Sequence, residues 1–207
     1  MHALAATLDR WNARHPWSHN AAYSWFVVAH ARALRRRGGS SVLDVGCGAG
    51  LLLTRLGRVL PDAAGVEPDP RMARLAARSG ARITAELPAE PVDLVVLVAS
   101  LHHLDADDAL PRLRALVRPG GRLVAIAPTR STWGDLPREV LSLVANPIVG
   151  FVRHPLGTDR APEHMTAPTV APTLSHRELR SSARRHLPDA RVWPGPFWRS
   201  VVVWGAP

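Results

Sequence analysis

Lysine is absent from the sequence: all 26 basic residues are arginine. Beside abundant alanine and proline, that choice points to compositional bias rather than to selection for a phosphate-binding surface. The formal net charge of +9 therefore does not by itself argue for a nucleic-acid partner. The arginines are scattered. Their one run of three, Arg35-Arg36-Arg37, precedes Gly38-Gly39 at an expected helix end, where cations complement the dipole and glycine supplies the cap. Cysteine is almost absent as well. A single Cys47 excludes an intrachain disulfide and fits a reducing cytoplasm. Long apolar runs are missing too: none approaches a membrane span, and Asp9, Arg10, Asn12 and Arg14 interrupt the N-terminus where a signal peptide needs an unbroken apolar core. With 46% apolar and 21% charged residues the chain is not disordered wholesale. At 207 residues it suits one α/β domain, soluble and cytoplasmic, with no membrane partner.

What the sequence does contain is organised around Ser40 to Leu53, an apolar strand running into a glycine turn and then an apolar helix. Gly46, Gly48 and Gly50 alternate, so the backbone can approach a ligand with no Cβ in between. Asp44 ends the strand, and a carboxylate beside open amides can bind the zwitterionic end of an amino-acid-like ligand. A dinucleotide fingerprint needs G-x-G-x-x-G. Counted from Gly46, the third glycine position is Leu51, so the pattern is D-x-G-x-G-x-G instead.

In Val42-Leu43-Asp44-Val45-Gly46-Cys47-Gly48-Ala49-Gly50 the sequence resembles the first motif of the class I S-adenosylmethionine (SAM)-dependent methyltransferases. Further matches follow in order up to about residue 127. Glu67 ends a second strand at 63–66, about twenty residues beyond the first glycine, where a doubly wound fold places the acid that binds ribose hydroxyls. Pro68-Asp69-Pro70 opens a helix reaching Ser79, and the resemblance implies that Met72 packs on the adenine. After a short third strand at 81–84, the family's acidic residue and Leu-Pro are compressed into Thr84-Ala85-Glu86-Leu87-Pro88. Glu86, or the main chain of Ala85 and Glu86, is expected to meet the adenine. Val92 to Leu101 reads as a strand buried on both faces, and Arg118-Pro-Gly-Gly-Arg122 separates the following helix from a fifth strand at 121–127.

The resemblance implies a Rossmann-like α/β fold: a doubly wound, mostly parallel seven-stranded sheet whose last strand is antiparallel. One domain is expected to span residues 1–207, with a helical cap over 1–38 and a substrate lid over 128–173. In the cap, Trp25, Val28, Ala29 and Ala33 read as the inward face, with Trp17 and Trp25 packed. Trp11, His19, Asn20 and Tyr23 are candidates for a flap over the cofactor. In the lid, a helix at about 134–145 gives way to a loop rich in proline and histidine. Ser175 and Glu178 form a capping box for the final helix, with Leu174 and Leu179 as its staple. Strands at 191–193 and 200–204 complete the sheet.

The implied cofactor is SAM, with S-adenosylhomocysteine (SAH) as product. Its expected site comprises Asp44, Gly46, Cys47 and Gly48, then Glu67, Pro68 and Met72, then Ala85, Glu86, Ala99 and Tyr23. No metal is expected, because His102, His103 and Asp105 lack metal-ligand spacing. Successive strand residues face opposite ways, so one of His102 and His103 should reach the pocket. The resemblance implies a structural hydrogen bond for His103 and leaves His102 as general base or acceptor-orienting group. Three functions remain open: methyl transfer to an O, N or C atom of a small molecule; SAM binding without methyl transfer; and nucleic-acid methylation, for which the Asn-Pro-Pro-aromatic motif is missing.

Overall fold

The computed structural model describes residues 11, 14, 15, 17–132, 135–153, 156 and 170–207. Five parallel strands form the first part of the sheet: β1 (Ser41–Val45), β2 (Asp62–Val66), β3 (Arg82–Thr84), β4 (Val92–Val98) and β5 (Val117–Pro128). Two more, β6 (Arg191–Gly195) and β7 (Arg199–Gly205), return as a hairpin, with β7 antiparallel to β5. The order is β3-β2-β1-β4-β5-β7-β6, the expected seven-stranded sheet.

Alternation along the central strands sends neighbouring side chains to opposite faces. On one face Leu43, Val95, Leu97, Leu123, Ala125 and Val202 pack under α5 (Ala106–Ala115) and α7 (His176–His186). On the other, Val42, Leu94, Val96, Val124, Ile126 and Val201 pack under α2 (Ser24–Arg35) and α3 (Leu51–Gly57). Both faces are covered, which is why these strands read as unbroken apolar runs. Truncating a fully buried leucine such as Leu97 or Leu110 to alanine costs about 2–5 kcal/mol. The Asp93 carboxylate ties β4 to the start of β1, accepting from the Ser40 and Ser41 amides at 2.8 and 2.9 Å and from Ser41 Oγ at 2.8 Å. The capping box forms as expected, and Asp105 caps α5 by accepting from the Asp107 and Asp108 amides. No helix among the described residues is long and apolar enough to cross a membrane.

Three expectations change. The buried face of α2 is Ser24, Val27, Ala31 and Leu34, none of them in the expected set, and Trp25 is 73% exposed. The Arg118-Pro-Gly-Gly-Arg122 run belongs to β5, where a register shift between Val92 and Leu94 absorbs it, with Gly120 at φ +73°. The helix expected to stop near 145 continues through Pro147 as α6 (Leu136–Arg153). This helix is inverted: Ser142 and Gly150 are buried against the body, whereas Val140, Leu141, Val144, Ile148 and Val152 are exposed. Its anchor is polar. Trp17 Nε1 donates to the Asn146 carbonyl and Oδ1 at 3.1 and 2.9 Å, His19 Nε2 meets the same Oδ1 at 2.7 Å, and the Phe197 amide donates to Ser142 Oγ at 3.0 Å. Much of the expected lid loop, at 154–155 and 157–169, lies outside the described residues, as do residues 1–10, 12, 13 and 16 of the expected helical cap.

Candidate active site

The carboxyl ends of β1, β2 and β4 open onto a cavity of about 730 Å³, within the usual range for small-molecule sites. Asp44, Gly46, Cys47, Gly48, Glu67, Pro68, Ala85, Ala99, His102 and His103 all line it. These residues come from four separate turns, which the parallel register brings to one edge. The sheet thus converts a sequence spread of some sixty residues into one wall.

The three glycines of the first turn do different work. All have positive φ, at +73°, +54° and +76°. A Cβ on Gly46 would strike Ser100, and one on Gly50 would come within 2.9 Å of the Ala76 backbone, so these two glycines serve internal packing. At Gly48 a Cβ would meet nothing within 4 Å. Of the three, Gly48 is the one whose bare face is open, as a ligand cradle requires.

Glu67 closes the turn from the neighbouring strand. Its Oε2 accepts from the Gly48 amide at 2.8 Å and its Oε1 from the Asp69 amide at 2.9 Å. Asp69 in turn caps α4 (Pro70–Ala76), accepting from the Arg71 and Met72 amides. Asp44 is buried behind this arrangement. Burial first, and the Glu67 charge second, raise its carboxyl to about 7. Burial, then Asp44 and Glu67, push the Cys47 thiol up to about 12, so it is no nucleophile at neutral pH.

At its carboxyl end β4 does not simply continue. Ala99 adopts φ +56°, a left-handed conformation costing about 1–2 kcal/mol for a residue with a Cβ. Its amide donates to the Ile126 carbonyl at 2.7 Å, and the Ser100 hydroxyl donates to the Val45 carbonyl. The chain then enters a 3₁₀ turn at Leu101–His103. Strand alternation no longer applies, which corrects the expectation that one histidine alone would reach the cavity. Leu101 is buried, and both His102 and His103 line the cavity with ring centroids 4.2 Å apart. Burial, followed by the charges of His103 and Arg199, lowers His102 to about 4. It is therefore neutral at physiological pH.

Three expected site residues lie elsewhere. Met72 is fully buried and does not line the cavity. Glu86 is exposed, and its carbonyl accepts from Thr84 Oγ1; Ala85 and Leu87 face the cavity instead. Tyr23 is a core residue whose hydroxyl donates to the Pro196 carbonyl at 2.7 Å. Of the flap candidates, Asn20 lines the cavity, His19 turns to Asn146, and Trp11 Nε1 donates to the Pro147 carbonyl. Sequence reasoning missed Ser18, Ser24, Val170, Pro172 and Arg199 on the cavity wall. Arg199 was legible in principle: it opens β7, and an antiparallel last strand starts at the edge where the parallel strands end.

Comparison with known proteins agrees with this geometry. A family model described as a methyltransferase domain matches residues 17–184. Uncharacterized methyltransferases of Mycobacterium tuberculosis and Mycobacterium bovis are 35% identical over 208 residues, covering 93% of this chain and 98% of theirs. Among solved structures, the plantazolicin methyltransferase BpumL superposes with a TM-score of 0.58 at 12% identity, covering 95% of this chain and 88% of its own. The S-adenosylmethionine-dependent methyltransferase SibL gives 0.54 at 18% identity, covering 88% of this chain, which spans 56% of that larger protein. Motifs, strand order and relatives converge, and the chain belongs to the class I S-adenosylmethionine-dependent methyltransferase family.

Proposed function

We propose that this enzyme transfers the methyl group of SAM to an O, N or C atom of a small molecule. The observation that supports this reading is that one cavity is lined both by the expected cofactor-binding residues Gly48 and Glu67 and by His102, His103 and Arg199. When bound, the cofactor supplies an electrophilic methyl group on a cationic sulfonium. Asp44 and Glu67 suit the cofactor's cationic and hydroxyl-bearing parts, and the open face of Gly48 leaves room for its approach. The second part of the cavity is left for the acceptor. Its walls, including Leu51, Leu52, Val98, Pro128 and Pro172, are apolar and exclude water around the reacting atoms.

His102, neutral and at the cavity end of β4, can accept a hydrogen bond or a proton from the acceptor. Its low proton affinity suits orientation better than removal of a firmly held proton, since a general base works best with a pKa near the working pH. Positioning then carries the larger share of the acceleration, and holding reactants in line can contribute about 7–11 kcal/mol. Calorimetric titration with SAM, followed by detection of SAH release in the presence of candidate small-molecule acceptors, tests the reading. An absence of SAM binding would overturn it, as would turnover only on nucleic acid.

A further inference from the structure

Arg199 is not among the residues expected to hold the cofactor, yet it lines the same cavity. Its guanidinium makes two hydrogen bonds to neutral oxygens, from Nη1 to the Phe197 carbonyl at 3.2 Å and from Nη2 to Asn20 Oδ1 at 3.2 Å. The Nε–H is buried with no acceptor among the described residues. The ion pairs among the described residues engage Asp93, Asp107 and Glu178, none of them with Arg199. An arginine withdrawn from water without a carboxylate partner is costly, because its charge loses hydration and gains no counter-charge. Burial accordingly lowers its pKa, with Tyr23 opposing this in part.

The surroundings hold the charge where it is. Asn20 comes from α1 (His19–Ala22), Phe197 from the β6–β7 hairpin, and Arg199 from the first residue of β7, so the side chain is braced by two elements. On the wall of the same cavity stands His102, whose Nδ1 is also buried without a partner among the described residues. A neutral acceptor would leave this cation uncompensated, whereas an anion meets both the open charge and the planar fork of donors.

Resting on the methyl-transfer reading, we infer that the acceptor is a carboxylate-bearing small molecule whose carboxylate docks on Arg199, beside His102, in the part of the cavity the cofactor leaves open. The aliphatic wall at Leu52, Pro128, Val170 and Pro172 fits an apolar body attached to that carboxylate. Asn20 is then a positioning residue, fixing one arm of the guanidinium.

The test uses SAH-saturated protein and four acids, benzoate, phenylacetate, 3-phenylpropionate and octanoate, each beside its primary amide, with binding followed by saturation-transfer NMR and calorimetry. Failure of SAH itself to bind would overturn the methyl-transfer reading and be seen before any acid is added. With SAH bound, at least one acid is expected to bind about tenfold or more tightly than its amide, the discrimination a charge-assisted hydrogen bond provides. Arg199→Gln, at saturating SAH, should abolish that preference, and Arg199→Lys should retain part of it. The His102 proton resonance should titrate at higher pH once the acid is bound, because the neighbouring charge is neutralised. Equal binding of acids and amides by the native protein overturns the inference even if the variants do not fold, as does an acid preference that survives Arg199→Gln.

Discussion

The Gly48 amide and the Glu67 carboxylate are hydrogen-bonded at 2.8 Å across nineteen residues of sequence, and that bond fastens the glycine turn to the end of the neighbouring strand. The same carboxylate holds the Asp69 amide. Glu67→Gln keeps the shape but weakens both bonds, and each charged hydrogen bond is worth about 1.5–3 kcal/mol. SAM affinity should fall roughly 10- to 100-fold. Gly48→Val introduces a β-branched residue at φ +54° into the open cradle and should remove measurable binding. Isothermal titration with both variants folded by circular dichroism, yet unchanged in affinity, would show that the cofactor sits elsewhere.

Asp44 should make cofactor binding pH-dependent. Its carboxyl is raised to about 7 by burial and then by Glu67, so it is largely protonated in the empty enzyme below that pH. A cationic ligand favours the ionised form. SAM affinity should therefore rise between about pH 6 and pH 8, with proton release visible as a buffer-dependent binding enthalpy below pH 7. Stability of the empty protein has the opposite slope from this group. A carboxyl raised on folding stabilises the fold below its unfolded pKa of 3.8, and that contribution is lost as pH rises through about 7. Asp44→Asn should flatten both slopes, and a pH-independent affinity in the native enzyme would rule the assignment out.

His102 is lowered to about 4, by burial before the charges of His103 and Arg199. A histidine whose folded pKa is depressed stabilises the fold above its unfolded value of 6.5, and that contribution is lost as pH falls toward 4. Its turnover signature should match: any acid limb of kcat due to His102 lies below about pH 5, not near 6.5. His102→Ala should lower kcat by about 10²-fold, the lower end for a positioned histidine, with SAM affinity little changed. Full turnover in that variant on a true acceptor would remove His102 from the chemistry.

The two tryptophans once grouped as packing residues should separate cleanly in urea denaturation. Trp17 is buried among His19 and Phe197, with ring centroids at 4.8 Å from each, and Trp17→Ala should cost about 3–5 kcal/mol. Trp25→Ser should lie within about 0.5 kcal/mol of the parent, as an exposed substitution does. Equal losses at the two positions would contradict the orientation of α2.

The sheet and the glycine turn were legible because their signals are local: apolar runs, a turn pattern and an acid at fixed spacing. The position of Glu67 at the end of β2 was legible from that spacing. Met72 and Tyr23 were misplaced because an apolar or aromatic side chain near a site looks the same whether it lines the cavity or backs its wall. The joint exposure of His102 and His103 could not be read, since it depends on Ala99 leaving the strand conformation, which alanine does not announce. Arg199 was hidden by distance, being brought to the site only by the antiparallel closure of β7. The face of α2 was misread because alanine and valine recur on several sides of that helix.

Helix α6 meets the body through Ser142, Asn146 and Gly150 and through Phe151, whose ring lies 5.8 Å from Trp11 and 5.5 Å from His15. Most of its other large apolar side chains stay outside, so lifting it away would uncover chiefly Trp17, which is buried under Asn146 and Gly150. Such an opening should carry a smaller heat-capacity change and a weaker dependence on urea than the opening of β4 or β5. Amide hydrogen exchange in α6 should then proceed through a local event of lower energy than global unfolding, while the central strands exchange only with global unfolding. The helix can leave as one piece, taking the cover from a single tryptophan while the sheet beneath it stays packed.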